Sequence, residues 1–379
     1  MSVRDLADEY FNRSYTTVAG TPTEHLRVCY AAFCRTPGRL AGVGDALNLI
    51  RQAGGPGIIV RGKSDGDTFE ANEVVMTLEG RFGQLVTLET EYLGMLSMSG
   101  AATNMAAIVE AAGEAKVIDM AARHYPPELA GRLGVAAAIG GAVGTSTRAG
   151  YAEAHARFGV GREQVRVGNT APREFKLYGT IPHSLNAACE GSSIESAATY
   201  YARNQKIPLT VLVDFEGRER DTIGAAVQRF HSDLSAVRLD VPRNRVIQGG
   251  HEQPVRALEM RILSQAKDRP AAMAALARYG FGPGVTIESV FATRDLLDSL
   301  HASHTKIVVS SGFDLEKVRA FRACNAPMDF IGTGSWVQFA MFTSDIVRVF
   351  ENEAWVPRCK AGRYEELREP AELPILLET

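Results

Sequence analysis

A histidine, two aspartates and an arginine stand at or just past the ends of short apolar runs, a set suited to handling phosphates and protons. His183 sits in YGTIPHS (178–184). Near pH 7 a neutral imidazole is a nucleophile or a base; the other reading is a histidine that closes its turn by hydrogen bonding. Asp214 lies in TVLVDF (210–215) and Asp240 in AVRLDV (236–241). Carboxylates at adjacent strand ends can hold Mg2+ or ribose hydroxyls, because that hard cation takes oxygen ligands and phosphate partners. Arg238 precedes Asp240 by two residues and so points to the same side of its strand. Its planar fork suits a carboxylate or a phosphate, and an internal Arg–Asp network is the alternative. SSGF (310–313) and GTGS (332–335) each follow an apolar run. Gly and Ser there expose successive backbone N–H groups that make an anion cradle. One such loop reads equally as a tight turn; two in succession favour phosphate. His124, beside Arg123 in ARHYP, reads as structural.

Six runs must position these groups: VIDMAAR (117–123), YGTIPHS, TVLVDF, AVRLDV, KIVVSSG (306–312) and FIGTGS (330–335). Short, rich in Val and Ile, and separated by helical patterns, they predict buried parallel strands. Their turns then share one end of one parallel barrel, where such barrels keep their chemistry. The alternation over 116–340 predicts a parallel sheet with covering helices. Ahead of it, 1–115 mixes the two patterns. GIIV (57–60) and NEVVMTLEG (72–80) predict strands joined by the turn KSDGDTF (63–69), and 85–113 has long helical periodicity ending at Gly113. Residues 341–379 are polar and broken by Pro357, Gly362 and Pro370. The connection 242–304 is long for a barrel, and 255–304 reads as an insert of no evident purpose.

The chain has 379 residues, enough for about two domains. With 41 Lys plus Arg against 44 Asp plus Glu, net charge −3, it is not a nucleic-acid binder held by charge alone. Five scattered cysteines without a CxxC pair argue against a disulfide framework or a four-cysteine zinc site and fit a reducing cytoplasm. The start, MSVRDLADEY, lacks an apolar signal core, and GVAAAIGGAVG (134–144) is too short to span a bilayer. GIIVRGKS (57–64) satisfies the Walker A pattern, but its loop interior is strand material and a turn follows where a helix is required. GVGDAL (42–47) is a still weaker dinucleotide fingerprint, lacking the third glycine.

Six segments, in order, resemble the type II phosphoribosyltransferases, and within them the nicotinate phosphoribosyltransferases of the short archaeal-like branch. They are DEYFNR (8–13), LETEYLGMLSMSGAAT (88–103), GGAVGTST (140–147), YGTIPHS, RLDVPRNR (238–245) and the paired glycine loops, and the resemblance covers most of 1–350. It implies an irregular (β/α) barrel at 116–340 and an amino-terminal α/β sandwich domain at 1–115, with 341–379 packing back on that domain. It implies that nicotinate's ring nitrogen attacks phosphoribosyl pyrophosphate to give nicotinate mononucleotide and pyrophosphate in NAD salvage. ATP hydrolysis is coupled through a phosphohistidine, matched here by His183. By the same resemblance Asp214 and Asp240 hold Mg2+ through phosphoribosyl pyrophosphate, and Arg238 and Arg123 face the base carboxylate or the pyrophosphate. Thr180 lines the substrate site, and Ser310, Gly312, Gly332, Thr333 and Gly334 hold the 5′-phosphate. Tyr10 stacks on the pyridine ring from a neighbouring subunit, which implies a homodimer or larger assembly with shared sites.

Ser146 stands where the related nicotinamide enzyme has an Asp, and a carboxylate there would repel nicotinate. Two positions depart from the family. Met120 replaces an aromatic of the ring sandwich, and Ala122 replaces the first Arg of a pair. A sister enzyme acting on a different base is therefore the alternative. A non-catalytic relative is a third, opposed by the joint presence of Asp214, Arg238, Asp240 and His183. Cys359 alone cannot supply the zinc knuckle some members carry, so no zinc is expected; nor is a nucleic-acid or membrane partner.

Overall fold

The computed structural model describes residues 2–368 and 372–379; Pro370 lies outside the described residues. Arg27–Cys34 is an apolar strand buried over all but its first residue. It can be so because it lies inside a six-stranded antiparallel sheet, with Phe342–Glu351 on one side and Val74–Arg81 on the other. Ala354–Pro357 adds beyond Phe342–Glu351, and Ile59–Gly62 followed by Ile375–Glu378 adds beyond Val74–Arg81. The tail thus supplies three of the six strands. Helices Val43–Ala53 and Glu89–Leu96 cover this sheet around Ile50, Leu78 and Tyr92. The Walker-like segment is ordinary sheet here: Ile59–Gly62 pairs with Val74–Arg81, and the Gly57 N–H donates to the Thr379 carbonyl at 2.9 Å.

The helical stretch 85–113 is not one long helix. It breaks at Ser97 into Glu89–Leu96 and Met98–Ala112, where the Ser97 hydroxyl donates back to the Gly94 carbonyl at 2.6 Å, a bond that bends helices. Met98–Ala112 carries Ala101, Ala102 and Met105 into the main core. Its neighbour Ala130–Gly140 comes so close that a Cβ on Gly140 would fall 2.5 Å from the Met105 Cβ.

The second sheet has seven strands, all parallel, in the order Lys176–Leu177, Gly144–Thr145, Lys116–Asp119, Phe330–Thr333, Lys306–Val309, Leu234–Leu239, Leu209–Leu212. The two outer strands do not pair with each other, so the curled sheet is an open, irregular barrel. The α/β class and the irregular barrel agree with the sequence; one of the six runs does not. In YGTIPHS pairing stops at Leu177, and 178–182 is loop before the helix His183–Ala188. Pro182 has no N–H for a ladder and Gly179 has no side chain to pack. The region 242–304 holds helices Arg256–Gln265, Arg269–Tyr279 and Ile287–Ser299. The last, capped by Thr286 Oγ1 accepting the Ser289 N–H at 3.2 Å, returns the chain to Lys306–Val309. Arg269–Tyr279 packs on Leu315–Ala323, where the Cys324 thiol donates to the Ala272 carbonyl at 3.6 Å. Among the described residues no helix is long and apolar enough to cross a membrane.

Candidate active site

Seven parallel strands point their carboxyl ends to one mouth. Arg238, near the end of Leu234–Leu239, occupies it with a largely buried side chain. Its Nε donates to Ser310 Oγ at 2.9 Å, Nη1 to Thr180 Oγ1 at 2.9 Å and Nη2 to Asp240 Oδ2 at 2.7 Å. The Ser310 hydroxyl donates onward to the Leu239 carbonyl at 3.1 Å. One guanidinium therefore ties together the segments that follow three strands. The internal network left open by the sequence exists, and it lies at the mouth.

His183 opens its helix, with Nε2 3.1 Å from Asp214 Oδ2. That hydrogen bond raises the imidazole pKa above its usual value, against partial burial, with the charges of Asp214 and Asp240 adding to the rise and Arg238 opposing it. The Asp214 side chain is only 1% exposed, and its other oxygen, Oδ1, has no hydrogen-bond partner. A buried acceptor left bare costs about 1–3 kcal/mol, so this oxygen is placed to receive a cation or a donor from a ligand. Arg245 fixes the same loop, donating to the Asp214 carbonyl at 3.3 Å and to the buried carboxylate of Glu219. Among the described residues no three His, Cys, Asp or Glu side chains are grouped to hold a metal ion. A metal at Asp214 and Asp240 would draw its remaining ligands from a substrate.

The two glycine loops differ in the N–H groups they leave free. Ser311 and Gly312 have positive φ, 76° and 71°, and the N–H groups of Ser311, Gly312 and Phe313 meet no acceptor among the described residues. Successive free N–H groups in left-handed backbone make an anion nest. In the other loop, Ser335 N–H donates to Thr333 Oγ1 at 3.1 Å and the Gly334 N–H is free among the described residues. A side chain on either glycine would have to displace a neighbour. A Cβ on Gly332 would fall 2.5 Å from Met120 Sδ, and one on Gly334 2.6 Å from His124 Nδ1. Met120 and His124 thus lie directly on this loop.

Asp119 is a buried carboxylate at a barrel-strand end that the sequence did not single out. It ends Lys116–Asp119 and is 2% exposed. Oδ1 accepts the Ala121 N–H at 2.9 Å and the Trp336 indole N–H at 3.0 Å, and Oδ2 accepts the Thr145 hydroxyl at 2.7 Å. Burial pushes its pKa up against those three bonds. The available signal was the one that marked Asp214 and Asp240: an acid closing an apolar run. The Asp119 carbonyl accepts the Ser146 N–H at 3.0 Å, which sets the half-buried Ser146 beside it. Arg123 is exposed in the turn Ala122–His124, and its guanidinium has no ion pair among the described residues. Tyr10 is elsewhere. It is 59% exposed on Glu9–Val18 and lines a cavity of about 710 Å³ against the antiparallel sheet with Tyr30, Glu89 and Asp345. No barrel-mouth residue lines that cavity.

Residues 9–99 match the family model of the quinolinate phosphoribosyl transferase N-terminal domain. No curated protein matches the chain by sequence. Among solved structures, nicotinate-nucleotide pyrophosphorylase from Pyrococcus furiosus superposes with a TM-score of 0.71 at 24% identity, over 94% of this chain and 77% of that one. Human nicotinic acid phosphoribosyltransferase gives 0.59 at 16% identity, over 91% of this chain and 75% of that one. NadC from Streptococcus pyogenes gives 0.56 at 17% identity, over 90% and 92%. The chain has the type II phosphoribosyltransferase fold.

Proposed function

We propose that this chain is a type II phosphoribosyltransferase that joins nicotinate to phosphoribosyl pyrophosphate, releasing pyrophosphate, with ATP hydrolysis coupled through phosphorylated His183. One observation carries the reading: the His183–Asp214 pair, with its bare Oδ1, lies at the same mouth as the Arg238–Asp240–Ser310–Thr180 array, the free N–H nest at 311–313 and the Gly334 N–H. In the reaction the pyridine nitrogen bonds to the anomeric carbon while the carbon–oxygen bond to pyrophosphate breaks and its electron pair leaves with pyrophosphate. Asp214 and Asp240 would hold Mg2+ together with pyrophosphate oxygens, and Mg2+ supplies charge neutralisation on the leaving group. Arg238 fixes Asp240 and Ser310 so that neither reorganises as charge develops. The cradles at 311–313 and 332–334 hold the 5′-phosphate. Across the His183–Asp214 contact Nε2–H donates, which leaves the Nδ1 lone pair free to attack the γ-phosphorus of ATP. The Nδ1–P bond forms, the bond to the β-phosphate oxygen breaks, and ADP leaves with its electron pair. A homodimer with shared sites, which Tyr10 would complete from the neighbouring subunit, and a cytoplasmic setting belong to this reading.

Labelling with γ-labelled ATP is expected to give an acid-labile, base-stable phosphoprotein that disappears in His183→Ala. That variant should keep slow, ATP-independent transfer, because the cradles and carboxylates remain. Label persisting in His183→Ala would move the phosphate to another residue, His124 first. Base choice is tested by turnover with and without ATP. Nicotinate is expected to exceed nicotinamide by at least about tenfold, and Ser146→Asp to weaken nicotinate through like-charge repulsion in a partly desolvated pocket. Met120 lying on Gly332, and Ala122 in place of an arginine, favour one competing reading, a sister enzyme for another base. Preference for nicotinamide or for a pyridine diacid, or use of neither monoacid base, would select it over nicotinate.

A further inference from the structure

Beneath the nest at 311–313 lies a lysine with no carboxylate partner among the described residues. Lys317 sits on Leu315–Ala323, whose amino terminus Asp314 caps by accepting the Lys317 N–H at 2.8 Å. The Lys317 side chain turns back under the loop. Its Nζ donates to the Ser311 carbonyl at 3.2 Å and lies 4.4 Å from the centre of the Phe313 ring, and the residue is 8% exposed. A trans peptide points its C=O and N–H to opposite sides. By holding the Ser311 carbonyl inward, Lys317 aims the Gly312 N–H outward, away from the core. On Gly312 itself lies a second cation. A Cβ added to Gly312 would fall 2.4 Å from Arg243 Nη2, and the exposed Arg243 guanidinium makes no ion pair among the described residues. Two cations without a carboxylate partner among the described residues, and three free N–H groups, therefore converge on one turn.

We propose that Arg243 is a direct ligand of the sugar 5′-phosphate held by this nest, and that Lys317 is a positioning residue that sets the nest's affinity for it. The proposal rests on the phosphoribosyltransferase reading for the identity of the sugar phosphate, and on the geometry alone for the phosphate monoester. Burial first, and then the charge of Arg243, push the Lys317 pKa down to about 8, with Asp314 opposing. The rings of Phe313 and Phe321 complete its surroundings. A bound dianion favours the charged ammonium, so binding draws a proton onto Lys317 wherever the free protein has lost it. Affinity should therefore fall as pH rises through about 8.

The test is calorimetric titration of the full chain with ribose 5-phosphate, and separately with inorganic pyrophosphate, at pH 7 and pH 9. Arg243→Gln is expected to weaken ribose 5-phosphate by roughly 10- to 100-fold, the loss of a charge-assisted hydrogen bond, with pyrophosphate changed by less than about twofold. Because Arg243 lowers the Lys317 pKa, the alkaline loss of affinity should also move to higher pH in Arg243→Gln. Lys317→Met should remove that loss. Arg243 is exposed, so Arg243→Gln tests the proposal even where Lys317→Met fails to fold. Ribose 5-phosphate binding unchanged in a folded Arg243→Gln, no binding to the wild type, or a loss confined to pyrophosphate would each overturn it. Arg243-dependent ribose 5-phosphate binding in a protein that forms no pyridine nucleotide would instead overturn the enzymatic reading and leave this inference standing.

Discussion

Asp240→Asn is expected to lower turnover by roughly 100- to 1,000-fold, about 2.7–4 kcal/mol of transition-state stabilisation, with the chain still folded. The change keeps shape and one side-chain oxygen but removes the charge. Arg238 would still have Ser310 and Thr180 as acceptors at 2.9 Å, so the mouth keeps its frame. What is lost is the carboxylate that would share Mg2+ and leaving pyrophosphate with Asp214. The measurement is steady-state release of pyrophosphate, with circular dichroism confirming the fold. A folded Asp240→Asn enzyme with unchanged kinetics would remove Asp240 from the site.

Asp119→Ala is expected to destabilise the chain by about 3–5 kcal/mol, because a buried donor left without an acceptor costs about 1–3 kcal/mol. Three donors lose their acceptor at once: the Ala121 N–H, the Trp336 indole and the Thr145 hydroxyl. Trp336 is fully buried, out of reach of bulk solvent. Asp119→Asn should cost much less, because one oxygen remains and the Thr145 hydroxyl can turn to accept from the new amide. Denaturant unfolding of both variants reads the difference. A loss below about 0.5 kcal/mol in Asp119→Ala would show that the three groups find other partners.

The barrel was legible because five of its runs are apolar, bounded and followed by distinctive turns, as parallel strands buried on both faces must be. The Arg238–Asp240 contact was legible from the period of a strand. Other features were hidden because they depend on contacts distant in sequence. The Lys176–Leu177 and Gly144–Thr145 strands are only two residues each and exist through their neighbours. Asp119 meets Trp336 across the sheet order, and Lys317 gains meaning only when its side chain folds back beneath Ser311. No spacing rule announces either.

The interleaving of the antiparallel sheet bears on how the chain is made. Arg27–Cys34 leaves the ribosome early, yet its partner Phe342–Glu351 follows about 300 residues later. At ~5–20 residues per second the wait is roughly 15–60 s. For that interval an apolar strand has one unsatisfied edge, open to wrong partners, while every strand of the barrel is synthesised ahead of the missing one. The barrel mouth can therefore assemble on the nascent chain before the sandwich beside it closes, and the step most exposed to aggregation is the addition of Phe342–Glu351 to Arg27–Cys34.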